Sequence, residues 1–261
     1  IGITGTNRKS TTAYHLKQIF DNFEPSNLIG NIGNPMLDFM NNNKKFSIIE
    51  LSSFQLDKMK ENKLDFGILL NIDVDHIDYH GSINSYHDAK KKILLAKNSI
   101  SYETDPYKLF EWITDTKPKK IKLKNLPYRY QMVANNVIND SKSTNYHSLS
   151  YALKEAKNFF RGLNFVLIVC GDPKKENFRN ISLHEPEEVF IFGVHSKDID
   201  KCINHPKKTM MSSLSQTLET IYKQRTTKNI LFSPGYPSGK DFNNFKERGE
   251  HFNLLLKNYI S

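Results

Sequence analysis

The sequence predicts an α/β fold with parallel sheets in both halves of the chain. Short apolar segments of strand length alternate with segments in which apolar residues recur at helical spacing, and this alternation is typical of βαβ units. Between residues 98 and 125 the pattern weakens and lysines accumulate. We therefore predict two domains, residues 1–125 and residues 126–261.

In the first half, a short strand leads through a polar loop into an amphipathic helix. The strand is predicted at Ile1–Thr4. The helix that follows carries its apolar residues three and four positions apart: they are Ala13, Leu16, Ile19 and Phe20. Two further strands, Phe46–Leu51 and Phe66–Ile72, and a helix from Tyr86 to Ala96 complete this half.

The second half repeats the alternation. Met132–Ile138 is predicted as one strand, and a helix follows whose apolar face includes Leu149 and Ala156. Three more apolar strands are predicted at Phe165–Cys170, Val189–Phe192 and Ile230–Phe232, with helices near Leu214–Tyr222 and Phe242–Leu256.

The formal charge is +9, from 37 Lys and Arg against 28 Asp and Glu. A basic excess favours nucleic-acid binding where the cations cluster on one face, but here the lysines are scattered. The apolar segments are far shorter than the ~20 residues of a membrane span, and Cys170 and Cys202 cannot form a disulfide framework. We expect a cytoplasmic protein without nucleic-acid or membrane partners. Because the chain begins at Ile1 directly in a predicted strand, we also expect a fragment of a longer protein.

The loop Gly5–Ser10, between a strand and a helix, has the arrangement of a phosphate-binding loop. Loop N–H groups and the helix N-terminus would face the anion, Lys9 would add a positive charge, and the Ser10 hydroxyl would bind Mg²⁺. The usual P-loop has glycines where this chain has Ile3 and Arg8, so an ordinary basic turn remains the alternative.

Acidic residues follow the next two predicted strands. Glu50 ends its strand, and the loop after Phe66–Ile72 contains three aspartates and a histidine: Asp73, Asp75, His76 and Asp78. Carboxylates and a neutral imidazole are metal ligands, and ligand sites lie at the carboxyl ends of strands. A cap or ion pair at Glu50, a solvated acidic loop, and a solvent-facing Lys90 on the next helix are the alternatives.

In the second half, three loops follow strands and are expected at one sheet edge. They contain Asp140 with Lys142 and Thr144, Gly171–Lys174, and Ser233–Ser238. Lys142 and Thr144 are expected at a helix N-terminus, where they would bind a carboxylate or phosphate. Simple N-capping is the alternative.

Together these segments resemble the Mur ligase family, and in particular its members that add D-glutamate. The resemblance is carried by segments in the family's order: Gly5–Thr11, Gly30–Gly33, Glu50–Leu56, Asp75-His76, Leu126–Arg129, Asn139–Asn145 and Asn244–Gly249. It implies a P-loop-type central ATPase domain with a truncated parallel sheet, shortened after about residue 98, followed by a Rossmann-like C-terminal domain.

The resemblance also implies a reaction. ATP phosphorylates the carboxylate of UDP-N-acetylmuramoyl-L-alanine to an acyl phosphate, and the amine of D-glutamate attacks it, in peptidoglycan biosynthesis. ATP and Mg²⁺ are the expected cofactors, the partners are these small molecules, and a monomer is expected.

Site residues follow from the resemblance position by position. The nucleotide-binding positions are Gly5, Thr6, Asn7, Lys9, Ser10, Thr11, Asn31, Arg129 and Asp140. The implied catalytic residues are Lys9, Glu50, His76 and Lys90, and the implied metal ligands are Ser10, Glu50, His76 and Lys90, with Lys90 carbamylated. The D-glutamate positions are Lys142, Thr144, Lys174, Ser238 and Phe245.

Several departures from the family pattern support a second hypothesis, a degenerate ligase that retains at most weak nucleotide binding. Arg8 stands in place of the phosphate-loop glycine, Pro173 replaces a glycine beside Lys174, and Gly239 replaces an apolar residue. The family's uridine-binding domain and its His-Asn-x-x-Asn adenine motif do not occur in this sequence. We therefore expect impaired ligase activity, with strain at Arg8 as one cause.

Overall fold

The computed structural model describes residues 1–33, 43–73, 76–173 and 180–260. The chain divides into two compact units, Ile1–Asn125 and Leu126–Ser261. Each unit has its own sheet flanked by helices, so the predicted α/β fold class is confirmed. The assignment of the units to an ATP-binding and a Rossmann-like domain stays a prediction.

The first unit is built around a five-stranded sheet in the order β2-β3-β1-β4-β5, with every neighbouring pair parallel. Its strands are β1 (Gly2–Thr4), β2 (Ser26–Gly30), β3 (Phe46–Glu50), β4 (Phe66–Leu69) and β5 (Asn98–Ser101). Its helices are α1 (Lys9–Asp21), α2 (Ser53–Asp57), α3 (Ile77–His80), α4 (Ile83–Lys91) and α5 (Pro106–Thr114). Because β3, β1 and β4 are parallel neighbours, the residues that follow them meet at one edge.

The core of the first unit confirms the predicted face of α1 and extends into residues 98–125. Ala13, Leu16, Ile19 and Phe20 are all buried on α1. The segment 98–125, where the sequence pattern weakens, contains β5 and α5, and α5 buries Leu109, Phe110 and Ile113 against α1. Its start was signalled by Asp105 as N-cap and Pro106 at the first helical position.

The second unit contains a six-stranded sheet in the order β12-β10-β8-β13-β7-β6 and a two-stranded pair of β9 with β11. Its strands are β6 (Gln131–Ala134), β7 (Val137–Asn139), β8 (Val166–Cys170), β9 (Ile181–Ser182), β10 (Glu188–Phe192), β11 (Ile203–Asn204), β12 (Lys208–Met211) and β13 (Ile230–Gly235). Its helices are α6 (Tyr146–Phe159), α7 (Ser196–Cys202), α8 (Leu214–Gln224) and α9 (Phe245–Leu256).

Two predictions for this unit were wrong in detail. Met132–Ile138 is not one strand, because the polar pair at 135 and 136 turns the chain and β6 pairs antiparallel with β7. Helix α6 begins only at Tyr146, since the Asn145 side chain accepts the Ser148 N–H in a capping box. Lys142 and Thr144 therefore lie in the loop before the helix rather than at its N-terminus.

Candidate functional site

The loop between β1 and α1 is tied to the chain segment that follows β4. Thr6 N–H donates to Asn71 O (3.0 Å) and Asn7 N–H donates to Asn71 Oδ1 (2.8 Å). The Thr6 hydroxyl accepts the Asp73 N–H at 2.8 Å and lies 2.9 Å from the Tyr86 hydroxyl. Two chain segments that are distant in sequence thus hold the loop in one shape.

Arg8 is the last residue of the loop before α1, and its backbone is left-handed, with φ 66° and ψ 0°. A side chain at such a φ costs about 1–2 kcal/mol, which glycine avoids. The strain predicted from the family's glycine at this position is therefore confirmed by the backbone.

Lys9 and Lys90 converge on one carbonyl oxygen. Lys9 Nζ donates to Gly5 O and Thr6 O, both at 2.9 Å, and Lys90 Nζ donates to Gly5 O at 2.7 Å. The two ammonium groups therefore lie within about 6 Å of each other, a distance at which like charges repel. Lys90 is 1% exposed while its neighbour Lys91 is exposed, so the solvent-facing alternative for Lys90 is wrong.

Glu50 is buried at the end of β3 with half of its carboxylate unsatisfied. Its backbone O accepts the Asn31 N–H (2.9 Å), and its Oε1 accepts the Asn31 side-chain amide (3.2 Å). Gly30, at φ 102°, permits this approach, because a Cβ there would lie 2.4 Å from Glu50 O. Glu50 is 1% exposed, and its Oε2 has no hydrogen-bond partner in the described ranges.

A cavity of about 140 Å³ lies among these residues. Lys9, Asn31, Ser53, Phe54, His76 and Lys90 are among its lining residues. The His76 ring lies 4.9 Å from the Phe54 ring. Three predicted catalytic residues, Lys9, His76 and Lys90, thus line one cavity, and Glu50 is joined to it through Asn31.

The predicted Mg²⁺ ligands fit such an ion in part. Glu50 Oε2 is a buried, hard oxygen acceptor without a partner among described groups, and Ser10 is buried in the first turn of α1. Within the described residues, no three His, Cys, Asp or Glu side chains form a metal-holding cluster. Asp75 and the side chain of Asp78, expected nearby, lie outside the described part of the chain. The predicted set of Mg²⁺ ligands therefore depends on carbamylation of Lys90, which would give it a carboxylate group.

In the second unit, the loops after β7, β8 and β13 meet at one edge. Gly235 N–H donates to Ser143 O (3.1 Å), and Asp172 N–H donates to Pro237 O (2.9 Å). Arg248 on α9 is 0% exposed and joins two of the loops. Its guanidinium donates to Ser141 Oγ (3.1 Å), Ser141 O (2.7 Å) and Tyr236 O (3.0 Å).

Asp140, a predicted nucleotide contact, is buried beneath this edge. Its Oδ1 accepts the Tyr130 N–H (2.9 Å) and its Oδ2 accepts the Ser233 hydroxyl (3.1 Å). Burial raises the pKa of Asp140 to about 7, against the opposing effect of these hydrogen bonds and of the charges on Arg129 and Arg248. Asp140 is therefore both a structural acceptor and a group that titrates near neutrality.

The predicted D-glutamate residues are only partly brought together. Lys142 Nζ lies 4.5 Å from the centre of the Phe245 ring, a cation–π contact. Thr144 and Ser238 are half-buried in two of the converging loops. Lys174 lies outside the described residues.

Comparison with known proteins identifies the family. The family model of the Mur ligase middle domain matches residues 3–160, more than half of the chain. The chain belongs to the Mur ligase family. Its match to the UDP-N-acetylmuramoylalanine--D-glutamate ligase of Petrotoga mobilis is 28% identical over 331 residues, covering 98% of this chain and 75% of that protein. The ligase of the same name from Buchnera aphidicola is 29% identical over 333 residues, with the same coverage.

Solved structures agree on the Mur ligase fold. MurF ligase from Thermotoga maritima, solved with ADP, has a TM-score of 0.67 at 12% identity, covering 98% of this chain and 80% of that one. Escherichia coli FolC, solved with DHPP and ADP, has a TM-score of 0.61 at 12% identity, covering 98% and 88%. The sequence alignments are longer than the 261 residues of this Mur ligase, so those relatives have segments that it lacks.

Two functional candidates of this Mur ligase chain were missed as site residues by sequence reasoning. The sequence does contain a signal for Arg248. It precedes Phe252 and Leu256 at intervals of four residues, and this spacing places the cation on the apolar face of a helix. The sequence contains no such signal for Ser53, since the adjacent Ser52 is the same residue type in the same local context.

Among the described residues, no helix is both long and apolar enough to cross a bilayer.

Proposed function

We propose that this chain is an ATP-dependent ligase of peptidoglycan biosynthesis that joins D-glutamate to UDP-N-acetylmuramoyl-L-alanine through an acyl phosphate. The main support is the meeting of Lys9 and Lys90 at Gly5 O, beside the buried, half-unsatisfied carboxylate of Glu50. This arrangement suits transfer of an anionic phosphoryl group to a carboxylate. The names of the curated relatives supply the substrates. We further propose that the protein acts as a cytoplasmic monomer.

In the first step, Lys9 binds anionic oxygens of ATP, which offsets the repulsion between ATP and the acceptor carboxylate. Mg²⁺, when bound by Ser10, Glu50, His76 and a carbamylated Lys90, supplies further charge neutralisation. Carbamylation joins the neutral Lys90 amine to CO₂ and releases one proton, so the buried amine becomes a carboxylate ligand. An oxygen of the acceptor carboxylate forms a bond to the γ-phosphorus of ATP as the bond from that phosphorus to ADP breaks, which yields the acyl phosphate and ADP.

In the second step, the second unit binds D-glutamate. Lys142 supplies a cation beside Phe245, and Thr144, Ser238 and Lys174 supply donors for the carboxylates of the amino acid. Arg129 and Asp140 contact the nucleotide. The D-glutamate amine attacks the carbonyl carbon, the carbon–nitrogen bond forms as inorganic phosphate leaves, and the amine loses a proton.

The second candidate is a degenerate ligase that binds nucleotide without turnover. The observation that favours it is the left-handed backbone of Arg8, which strains the phosphate loop.

The test is ADP release by the full chain with ATP, Mg²⁺, UDP-N-acetylmuramoyl-L-alanine and D-glutamate. A ligase requires both co-substrates, and Lys90→Ala is expected to lower turnover by about 10²–10³-fold. Lys91→Ala, which removes the exposed neighbouring cation, is the matched control and should retain wild-type turnover. Nucleotide binding without substrate-dependent ADP release would instead establish the second candidate.

A further inference from the structure

A lysine-rich segment, residues 117–124, lies on the surface at the end of the first unit. Its exposed lysines are Lys117, Lys119, Lys120, Lys122 and Lys124. None of them forms an ion pair with another described residue. The sequence has no acidic residue between Asp115 and the end of the unit at Asn125. Although the lysines of the whole chain are scattered, this segment, which we call the basic strip, is a local concentration of positive charge.

Side chains of two helices hold the backbone of the basic strip. On α5, the Tyr107 hydroxyl donates to Ile121 O (2.7 Å) and accepts the Ile121 N–H (3.1 Å). On α1, the Gln18 side-chain amide donates to Lys124 O (2.9 Å) and accepts the Lys124 N–H (2.9 Å). Each of these side chains satisfies both backbone groups of one residue, so the strip has a fixed path along the first unit rather than that of a free tail.

The fixed backbone determines which side chains of the basic strip reach solvent. Ile121 and Leu123 are half-buried, and Leu123 packs against the core of the first unit. The residues that alternate with them are exposed: Lys120, Lys122 and Lys124. This alternation is that of an extended chain, in which residues on the same side lie about 7 Å apart. Because this spacing is shorter than the Debye length of ~8 Å at physiological salt, the three charges act together on a partner.

We propose that the basic strip docks on a membrane surface that contains anionic lipids. Each lysine near such a surface raises the partition coefficient by about fivefold, the equivalent of ~1 kcal/mol. A lipid surface presents a diffuse negative field, which suits lysine because its ammonium is a point charge without a fixed donor geometry. Since the apolar residues of the strip face the core, the association is electrostatic and weakens as salt is added.

Nucleic acid is the competing partner, and the basic strip lacks two features that favour it. Nucleic-acid surfaces combine cations that bind phosphates with arginines that contact base edges or with aromatic rings that stack on bases. Residues 116–125 include neither an arginine nor an aromatic residue. The sequence-based expectation of no membrane partner rested on short apolar segments, which argue against a spanning segment but not against docking at the lipid surface.

The experiment measures sedimentation of the full chain with vesicles of phosphatidylcholine, with and without phosphatidylserine, at low and at high salt. The wild type should bind only the vesicles that contain phosphatidylserine, and only at low salt. Combining Lys120→Gln, Lys122→Gln and Lys124→Gln should weaken this binding on the order of 10²-fold. Replacing the same three lysines by arginine keeps the charge and should keep the binding.

Three other exposed lysines of the first unit provide the matched control: Lys58, Lys60 and Lys91. Their combined replacement by glutamine removes the same amount of charge but leaves the basic strip intact, so it should weaken binding by less than about tenfold. Fluorescence of Trp112, the single tryptophan, during urea unfolding verifies that each variant is folded.

Three outcomes would overturn the proposal. Equal weakening by the strip variant and by the control would show that net charge alone is responsible. The wild type might also bind vesicles equally with and without phosphatidylserine at low salt, or not bind them at all. A short single-stranded RNA in the same assay tests the competing partner, and a larger loss of RNA binding than of vesicle binding in the strip variant would identify nucleic acid instead.

Discussion

The candidate sites of the two units differ in how their buried polar groups are satisfied. In the first unit, Glu50 Oε2 and Ser53 Oγ are buried without hydrogen-bond partners among the described residues. In the second unit, both carboxylate oxygens of Asp140 accept hydrogen bonds, and the guanidinium of Arg248 donates three to neighbouring loops. Both units bring strand-end loops together at one sheet edge. The second unit also contains a buried oxygen without a hydrogen-bond partner among the described residues, Asp241 Oδ2, but the polar groups of Asp140 and Arg248 are satisfied.

This difference indicates which buried groups bind a ligand and which groups hold the loops in place. Unsatisfied buried groups cost stability and are retained where a ligand completes them, whereas satisfied networks fix the shape of the loops that carry other side chains. We infer that the first unit holds the reacting groups and that Arg248 fixes the loops of the second unit that carry Lys142. The comparison predicts that substitutions in the frame of the second unit affect stability, while those at the cavity of the first unit affect binding.

The largest effect is expected at Arg248. Arg248→Met leaves the buried carbonyls Ser141 O and Tyr236 O without their donors, which should lower the free energy of unfolding of the second unit by ~2–6 kcal/mol, at about 1–3 kcal/mol for each acceptor. Hydrogen exchange of the β7 and β13 amides measures this unit alone. Arg225→Met, which breaks a partly exposed ion pair with Glu188, is the control and should cost less than half as much. Equal costs would show that burial of Arg248 is not what matters.

A pH-dependent effect is expected at Asp140. Its native pKa of about 7 exceeds the ordinary 3.8, so the native carboxyl keeps its proton where the unfolded one has lost it. The contribution of Asp140 to the free energy of unfolding is therefore fully present below about pH 4. It is lost as the pH rises through about 7, by up to roughly 4 kcal/mol. Asp140→Asn should remove this slope. Carboxyl carbon NMR of the wild type gives the midpoint directly, and a midpoint near 4 would contradict the prediction.

The smallest effect is expected at Arg8. Arg8→Gly relieves a side chain at φ 66° and should raise the stability of the first unit by about 1 kcal/mol, measured by urea unfolding with Trp112 fluorescence. Asp115→Gly relieves a similar φ of 51° at the end of α5, far along the chain from the phosphate loop. Both variants should gain stability, but only Arg8→Gly should change the dissociation constant of ATP. A change of that constant in Asp115→Gly would show that strain relief in general, rather than the loop, is responsible.

The sequence alone determined the α/β class and most of the elements that position the sites. Helices α1 and α6 follow from apolar residues at helical spacing, and β3, β4, β8 and β13 follow from short apolar segments, because these patterns reflect which face is buried. The family resemblance marked Lys9, Glu50 and Lys90. For Lys9 and Glu50 a local pattern suffices, because the loops at the carboxyl ends of neighbouring parallel strands share one edge of the sheet.

Only the tertiary structure decided which polar groups are buried and what they meet. Lys90 and Lys91 are adjacent lysines, and Ser52 and Ser53 are adjacent serines, yet in each pair one side chain has a role that the other lacks. The hairpin of β6 and β7 and the late start of α6 likewise depended on a turn and a cap. Burial and hydrogen bonding join residues such as Gly5 and Lys90, which lie 85 positions apart, and no local pattern records that distance.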